Sequence, residues 1–191
     1  MGIERKPSKQ RGFTLIEAMV AAVVLATGLL SVLSLFAYSL SNLQLSQEDL
    51  IARAKAKEGL ESVFSARDSS QITFDQINNK ASGGIFLDGF ALLYDPPGTD
   101  GIANTDDDST SASSQLDAIV LPGPDGILGT ADDVRQTLNN FQRQITISPV
   151  FLTGTTTINN NLRLVTVTVR YTVPQFGGRQ YQVSAYISKY R

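Results

Sequence analysis

An uncharged stretch of 30 residues, from Ala18 to Gln47, constrains this chain more than any other feature of its sequence. The first part of the stretch, up to Leu40, consists mainly of Ala, Val, Leu and Ile. A helix rises about 1.5 Å per residue, so about 20 apolar residues cross a hydrocarbon layer roughly 30 Å thick. Between Phe13 and Pro96 the sequence contains no proline, so no proline interrupts such a helix. We therefore predict a membrane-spanning helix near the N-terminus.

Basic residues dominate the segment before the apolar stretch. One acidic residue, Glu4, stands against four basic ones, namely Arg5, Lys6, Lys9 and Arg11. Because positive charge is retained in the cytoplasm, we expect the N-terminus inside and the C-terminal part outside. A cleaved secretory signal peptide fits less well, since its apolar region is about 7–15 residues long. A plain uncleaved anchor is the remaining alternative.

Two residues argue against a plain anchor. Gly12 marks the border between the basic and apolar segments, and Glu17 follows five residues later. Insertion scales assign roughly 2.5–3.5 kcal/mol to an acidic residue at full membrane depth. A simple anchor gains nothing from that cost, so we interpret Glu17 as a functional residue that requires a partner.

The segment GFTLIE, residues 12–17, together with the basic leader and the long apolar run, resembles the N-terminal signature of type IV prepilins and pseudopilins. The resemblance implies that a leader of residues 1–12 is cut after Gly12 by a prepilin peptidase and that Phe13 is N-methylated. It also implies that Glu17 pairs with the terminal amine of a neighbouring subunit during filament assembly. A buried carboxylate is tolerable when it meets a cation in this way.

The apolar pattern predicts one long helix over residues 13–67, of which 13–42 form the transmembrane or filament core. Beyond Glu48 the pattern becomes amphipathic, and the apolar residues share one side of the helix: Ala52, Ala56, Leu60, Val63 and Phe64. We expect this side to pack against a sheet and the helix to end near Arg67.

The C-terminal part alternates apolar and polar residues, which is typical of half-buried strands. Alternation over Val165–Val173 and again over Tyr181–Ile187 predicts a β-hairpin. Residues 145–151 predict a preceding strand, and residues 116–121 suggest a fourth. The predicted fold class is therefore α+β: a pilin-like lollipop whose long N-terminal hydrophobic helix packs on an antiparallel sheet of residues 143–190, within a periplasmic or extracellular head of residues 68–191.

An internal repeat lies in the acidic loop that we place at residues 88–134. TDGIANTDDD at 99–108 and PDGILGTADD at 124–133 agree at six positions. Clustered carboxylate and amide oxygens with turn-forming Gly suit Ca²⁺, so Ca²⁺ is the candidate cofactor. The candidate ligands are Asp100, Asn104, Asp106, Asp108, Asp125, Asp132 and Asp133. Two Asp-Gly turns in a solvated acidic loop are the alternative, because the spacing is not that of an EF-hand.

Charge is unevenly distributed along the chain. Residues 81–134 contain ten Asp and no basic residue, whereas residues 135–191 contain seven basic residues and no acidic one. This pattern argues against nucleic-acid binding, which needs a coherent basic surface. It suits either internal charge matching or head-to-tail contact between copies. The sequence has no Cys and no His, which excludes disulfides and imidazole chemistry, and we expect no enzymatic activity.

These observations favour a structural minor pilin that is incorporated into a type IV pilus or primes it. Two alternatives remain open, namely a minor pseudopilin of a type II secretion system and a calcium-dependent adhesive tip module. The expected partners are other pilin subunits, the prepilin peptidase and the inner-membrane assembly machinery. The expected location is the bacterial inner membrane, as a single-pass protein with a cytoplasmic N-terminus, and then the pilus or cell surface.

Overall fold

The computed structural model describes residues 12–190. The chain divides into two compact units, Met1–Gln44 and Leu45–Arg191. Apart from Gly12, the predicted leader lies outside the described residues. A single helix, α1, spans Leu15–Asp68, so its residues belong to both units.

In the first unit, the residues of α1 are almost entirely exposed. Large apolar side chains such as Leu25 and Phe36 are 72% and 64% exposed. The hydroxyls of Ser31 and Ser34 donate to backbone carbonyls four residues earlier, at 2.8 and 2.9 Å. These bonds satisfy the hydroxyls without water, as a lipid environment requires. Within the described part of the chain, α1 is the one helix that is long and apolar enough to cross a membrane.

In the second unit, α1 buries the side predicted from the sequence. Ala52, Ala56 and Val63 are fully buried, and Leu60 and Phe64 pack against the same core. The opposite side is charged and exposed, with ion pairs that follow the helix spacing. The helix ends at Asp68, one residue after the predicted end.

Eight strands follow the helix: β1 Ala91–Leu92, β2 Tyr94–Asp95, β3 Gln115–Leu116, β4 Ala118–Leu121, β5 Val134–Thr137, β6 Phe141–Phe151, β7 Ile158–Val173 and β8 Gly177–Ser188. The main sheet is antiparallel, in the order β1-β6-β7-β8. Alternate side chains of β7 are buried, which places them in one core with α1: Val165, Val167, Val169, Tyr171 and Val173. The expected α+β, pilin-like arrangement is therefore confirmed.

The fourth strand of the sheet was predicted at the wrong place. Residues 118–121 do form a strand, but β4 pairs with β5 in a separate two-stranded hairpin. The acidic turn between them brings the two short strands together, whereas β1 occupies the edge of the main sheet beside β6. A second short hairpin, β2–β3, encloses the first copy of the repeat.

Candidate functional site

The helix start forms the first part of the candidate site. Gly12, Phe13 and Thr14 precede α1, and Glu17 lies in its first turn. The backbone N–H of Glu17 donates to Oγ1 of Thr14 at 3.3 Å, so Thr14 caps the helix. The spacing Thr-x-x-Glu is that of a capping box, a signal that our sequence analysis missed. A carboxylate in the first turn is also favoured by the helix dipole.

Around Glu17 the surface of the helix is apolar. Phe13 and Ile16 are 80% and 71% exposed, and Val20 is exposed one turn further on. The carboxylate therefore stands in an apolar strip that its own unit leaves uncovered. Such a strip can pack against lipid or other helices, and the carboxylate can then bind a cation that another molecule supplies.

The acidic repeat forms the second part of the candidate site. We define loop 1 as residues 97–108 and loop 2 as residues 122–133. In loop 1, Oδ1 of Asp100 accepts from the N–H of Ile102, and in loop 2, Oδ1 of Asp125 accepts from the N–H of Ile127, both at 2.8 Å. The hydroxyl oxygens of Thr105 and Thr130 each lie 3.0 Å from the carbonyl oxygen three residues earlier. The two copies therefore share one local fold.

The last two acidic residues of each loop bind its backbone in the same way. Asp107 and Asp132 each accept from the threonine hydroxyl two residues earlier, at 2.7 and 2.6 Å. Asp108 accepts from the N–H of Asn104 at 2.7 Å, and Asp133 accepts from the N–H of Gly129 at 2.6 Å. The recurring carboxylates thus replace missing backbone acceptors in a tight turn.

Pro-Gly extends the repeat by two positions that our sequence analysis missed. Pro97-Gly98 and Pro122-Gly123 occupy equivalent places. A Cβ on Gly98 would lie 2.4 Å from the Asp107 carboxylate, and a Cβ on Gly123 would lie 2.3 Å from the Asp132 carbonyl. Each loop therefore needs Gly here, because the chain passes directly over the central acidic residue.

The electrostatics of loop 1 follow from its burial. Desolvation raises the pKa of Asp107, but hydrogen bonds from Thr105 and Thr99 outweigh it and lower the pKa to about 2. For Asp108, desolvation is the largest effect and raises the pKa to about 6. The hydrogen bond from the Asn104 N–H and the charge of Arg143 lower the pKa but do not outweigh desolvation. In loop 2, which is exposed, the Thr130 hydroxyl lowers the pKa of Asp132.

The structure tests whether the predicted calcium ligands come together. Asp100 and Asp108 lie near the Thr105 hydroxyl, but Asp106 forms an ion pair with Lys80 and Asn104 binds Arg143. Among residues 12–190, no group of three or more acidic side chains is placed to hold a metal ion. Several of the predicted ligands therefore bind other groups of the chain, and calcium binding stays a prediction.

Arg143 fixes loop 1 to the rest of the second unit. Its side chain is 1% exposed, and its Nε donates to Oδ1 of Asn104 at 3.1 Å. The amide of Asn104 donates back to the Arg143 carbonyl at 2.9 Å. Burial lowers the pKa of Arg143, while Glu58 and Asp108 oppose this effect. Loop 1 is therefore part of the core, through a residue of β6 that our sequence analysis did not single out.

Gly59 of α1 makes room for this arginine. A Cβ at position 59 would lie 2.8 Å from Cδ of Arg143, so a larger residue would force the arginine to move. Lys55, one turn earlier, forms ion pairs with Glu58 at 2.8 Å and with the buried Asp117 at 2.6 Å. Desolvation opposes the charge of Lys55, but these two partners raise its pKa. The helix, the sheet and loop 1 thus meet in one buried polar cluster.

The charge asymmetry is only partly matched inside the second unit. The ion pairs of acidic residues 81–134 use Lys55 and Lys80, which precede that segment. The ion pairs of Arg143 and Arg163 use Glu58 and Asp75. Within residues 12–190, none of the described ion pairs joins the acidic segment to the basic C-terminal segment. Direct ion pairs therefore account for little of the asymmetry, although the charges of Arg143 and Asp108 interact in the core.

Comparison with known proteins gives one match. The family model for the prokaryotic N-terminal methylation motif matches residues 7–33, which are 27 of the 191 residues. No curated protein and no solved structure gives a significant match to the chain. The motif and the long apolar helix support single-pass membrane anchoring. The chain therefore carries the type IV prepilin and pseudopilin signature, on an α+β, pilin-like arrangement.

Proposed function

We propose that this chain is a structural minor pilin, processed after Gly12 and assembled into a type IV pilus or priming it. One observation carries the proposal. The methylation motif at residues 7–33 overlaps a helix whose apolar residues are exposed throughout the first unit. Apolar surface of this extent has to be covered by lipid or by other helices.

The position of Glu17 supports assembly over simple anchoring. Cleavage after Gly12 would leave Phe13 as the first residue, with its new amino group close to the first turn of the helix. In a staggered filament, the carboxylate of one subunit then meets the terminal amine of the next. The pair selects one register, because a shift leaves both charges unpaired in apolar surroundings.

The proposed partners are other pilin subunits, a prepilin peptidase and the inner-membrane assembly machinery. We propose that the second unit lies outside the cytoplasm and that the role is structural, without catalysis. The excess of basic residues before position 12 supports this orientation. A pseudopilus of a type II secretion system would assemble through the same helix.

Mass spectrometry of the full-length chain, expressed in cells that assemble pili, tests the proposal. We expect a mature protein that lacks residues 1–12 and carries one methyl group on Phe13, and we expect it in sheared pili. A Gly12→Val variant serves as the control and should keep its leader. An intact leader on the wild-type chain would contradict the proposal. Mature chain in the membrane and absent from pili would favour the secretion pseudopilus.

A further inference from the structure

The β4–β5 hairpin, with loop 2 at its tip, presents apolar surface that its own chain does not cover. Five apolar side chains of this hairpin are 42–61% exposed: Val120, Leu121, Ile127, Leu128 and Val134. In loop 1, by contrast, Ile102 and Ala103 are 2% and 1% exposed. The same local fold is therefore docked in one copy and undocked in the other.

Loop 2 also carries negative charge. Asp125, Asp132 and Asp133 use their oxygens to bind the loop backbone, and within the described residues none of them forms an ion pair with a basic side chain. The tip is thus both apolar and acidic. A surface that covers it needs more basic groups than acidic ones.

The second unit contains such a surface at the end of the main sheet, where β7 ends and β8 begins. Nine residues line an open groove there: Asn139, Asn140, Gln142, Arg170, Tyr171, Thr172, Gly178, Arg179 and Gln180. Two of them are arginines and none is acidic. Two acidic groups lie beside the lining, since Glu48 and Asp49 accept from Asn140 at 2.8 Å and from Tyr171 at 3.3 Å.

The two arginines differ in how they are held. Nε of Arg170 donates to Oε1 of Gln142 at 2.7 Å, and its guanidinium lies 4.0 Å from the centre of the Phe90 ring. Arg179 is exposed, and no described hydrogen bond or ion pair fixes its side chain. The groove therefore offers one preorganised cation and one adaptable cation.

We propose that loop 2 of one copy docks into the Arg170–Arg179 groove of a second copy of this chain. The charge pattern identifies the occupant, because one chain carries an acidic tip without a basic partner and a basic groove without an acidic lining. The contact joins two different surfaces, so it is heterologous and, in a helical filament, links one copy to a neighbouring copy. It deepens the proposed function, and rests on it, because the filament brings the second units of successive copies together.

Disulfide cross-linking of the full-length chain tests this interface directly. The sequence has no cysteine, so introduced thiols are the only ones in the chain. A Leu128→Cys, Gln180→Cys double variant, expressed in piliated cells and oxidised, should give a ladder of linked copies on non-reducing gels. The matched control is Thr155→Cys with Gln180→Cys, because Thr155 is exposed in the turn between β6 and β7, at the other end of the sheet.

A charge variant adds an independent measurement. In the cross-linking background, Arg179→Glu should reduce the ladder by about threefold to tenfold, since it replaces attraction by repulsion at a partly exposed site. Lys189→Glu changes the charge equally, but at the end of β8 far from the groove, and should leave the ladder unchanged. Raising the salt concentration should weaken the ladder of the double-cysteine variant that carries no charge substitution.

The outcomes separate this interface from the proposed function. Mature chain in pili without a ladder above the control would overturn the interface and leave the function standing. A ladder in membranes of cells whose pili lack the chain would support the interface and contradict the function. A disulfide from the thiol introduced at position 128 to a different protein would overturn the assignment of a second copy as the occupant.

Discussion

Loop 1 and loop 2 have the same local fold and opposite surroundings. Their turns repeat the same hydrogen bonds at a spacing of 25 residues, as at Asp100 and Asp125. Yet Ile102 is 2% exposed, while its counterpart Ile127 is 61% exposed. The comparison teaches that Asp, Gly and Thr at fixed positions determine the shape of the loop, whereas residues elsewhere determine whether it is buried.

Two of the four positions that differ between the loops explain the difference in burial. Asn104 exchanges hydrogen bonds with Arg143, and its counterpart Gly129 has no side chain to do so. Ala103 is small enough for its N–H to approach the Ser62 hydroxyl at 3.4 Å, and its counterpart is the larger Leu128. Loop 1 is thus built for attachment to α1 and β6, and loop 2 is not.

Removing the arginine that anchors loop 1 should have the largest effect. We expect Arg143→Ala to lower the free energy of unfolding by about 3–5 kcal/mol, because it leaves a cavity and buried polar groups without their partner. Arg135→Ala, at the exposed base of the loop 2 hairpin, should change it by less than about 0.5 kcal/mol. Urea denaturation of the chain in detergent, followed by circular dichroism, measures both. Equal losses would contradict the asymmetry between the loops.

The paired isoleucines sharpen the comparison. Ile102→Ala should cost about 2–4 kcal/mol, because it removes buried methyl groups. Ile127→Ala should cost less than about 0.5 kcal/mol, because its side chain is exposed in the monomer. The same urea titration serves here. A large loss from Ile127→Ala in monomeric chain would mean that loop 2 is docked within its own molecule.

The buried acid of loop 1 predicts a pH dependence of stability between pH 3.8 and about 6. Burial raises the pKa of Asp108 from 3.8 to about 6, so between these values the folded state binds a proton that the unfolded state releases. The contribution of Asp108 to stability therefore falls as pH rises through this window, by about 1–2 kcal/mol, and is constant above it. The pKa of Asp107 is lowered to about 2, so its contribution to the pH dependence of stability lies below this window.

Urea titrations of wild-type chain and Asp108→Asn at several pH values between 4 and 7 measure this term as a difference. The variant should lose most of the slope and keep a smaller part, because burial also raises the pKa of Asp100. Asp133→Asn, the loop 2 counterpart, should keep the whole slope. A wild-type slope that survives in Asp108→Asn would assign the proton to another group.

Calcium should have the smallest effect on the stability of the two loops. Their carboxylates already accept hydrogen bonds from the loop backbone, at Asp108 and Asp133 among others. We therefore expect the same Tm in millimolar Ca²⁺ as in equal Mg²⁺, within about 1 °C. A saturable rise in Tm with Ca²⁺, lost in an Asp132→Asn, Asp133→Asn variant, would support the calcium prediction.

Much of the fold could be predicted because its signals are local. Helix α1 follows from an unbroken apolar run and then an amphipathic one, and the hairpin β7–β8 follows from period-two alternation. The prepilin signature lies in one continuous segment, residues 7–33. Each of these features depends on residues that are close together in the sequence, so one sequence is enough to predict it.

The remaining features depend on contacts between distant residues. Arg143 occupies a core-facing position of β6. Its burial is tolerable because Asn104 of loop 1 accepts a hydrogen bond from it and because Gly59 has no side chain to clash with it. Likewise, the sequence predicts a strand at residues 118–121, but the pairing of this strand with β5 depends on the turn that joins them. The repeat was visible, but identical sequence signals could not reveal that one copy is buried and the other exposed.

The central claim is that this chain needs Glu17 in order to assemble into a filament, and one substitution tests the claim most directly. We expect Glu17→Ala to reduce the amount of chain in sheared pili by more than about tenfold, because the terminal amine of the neighbouring copy loses its partner. Glu61→Ala, on the exposed side of the same helix, should leave that amount unchanged. Equal incorporation of Glu17→Ala and wild-type chain would contradict the claim.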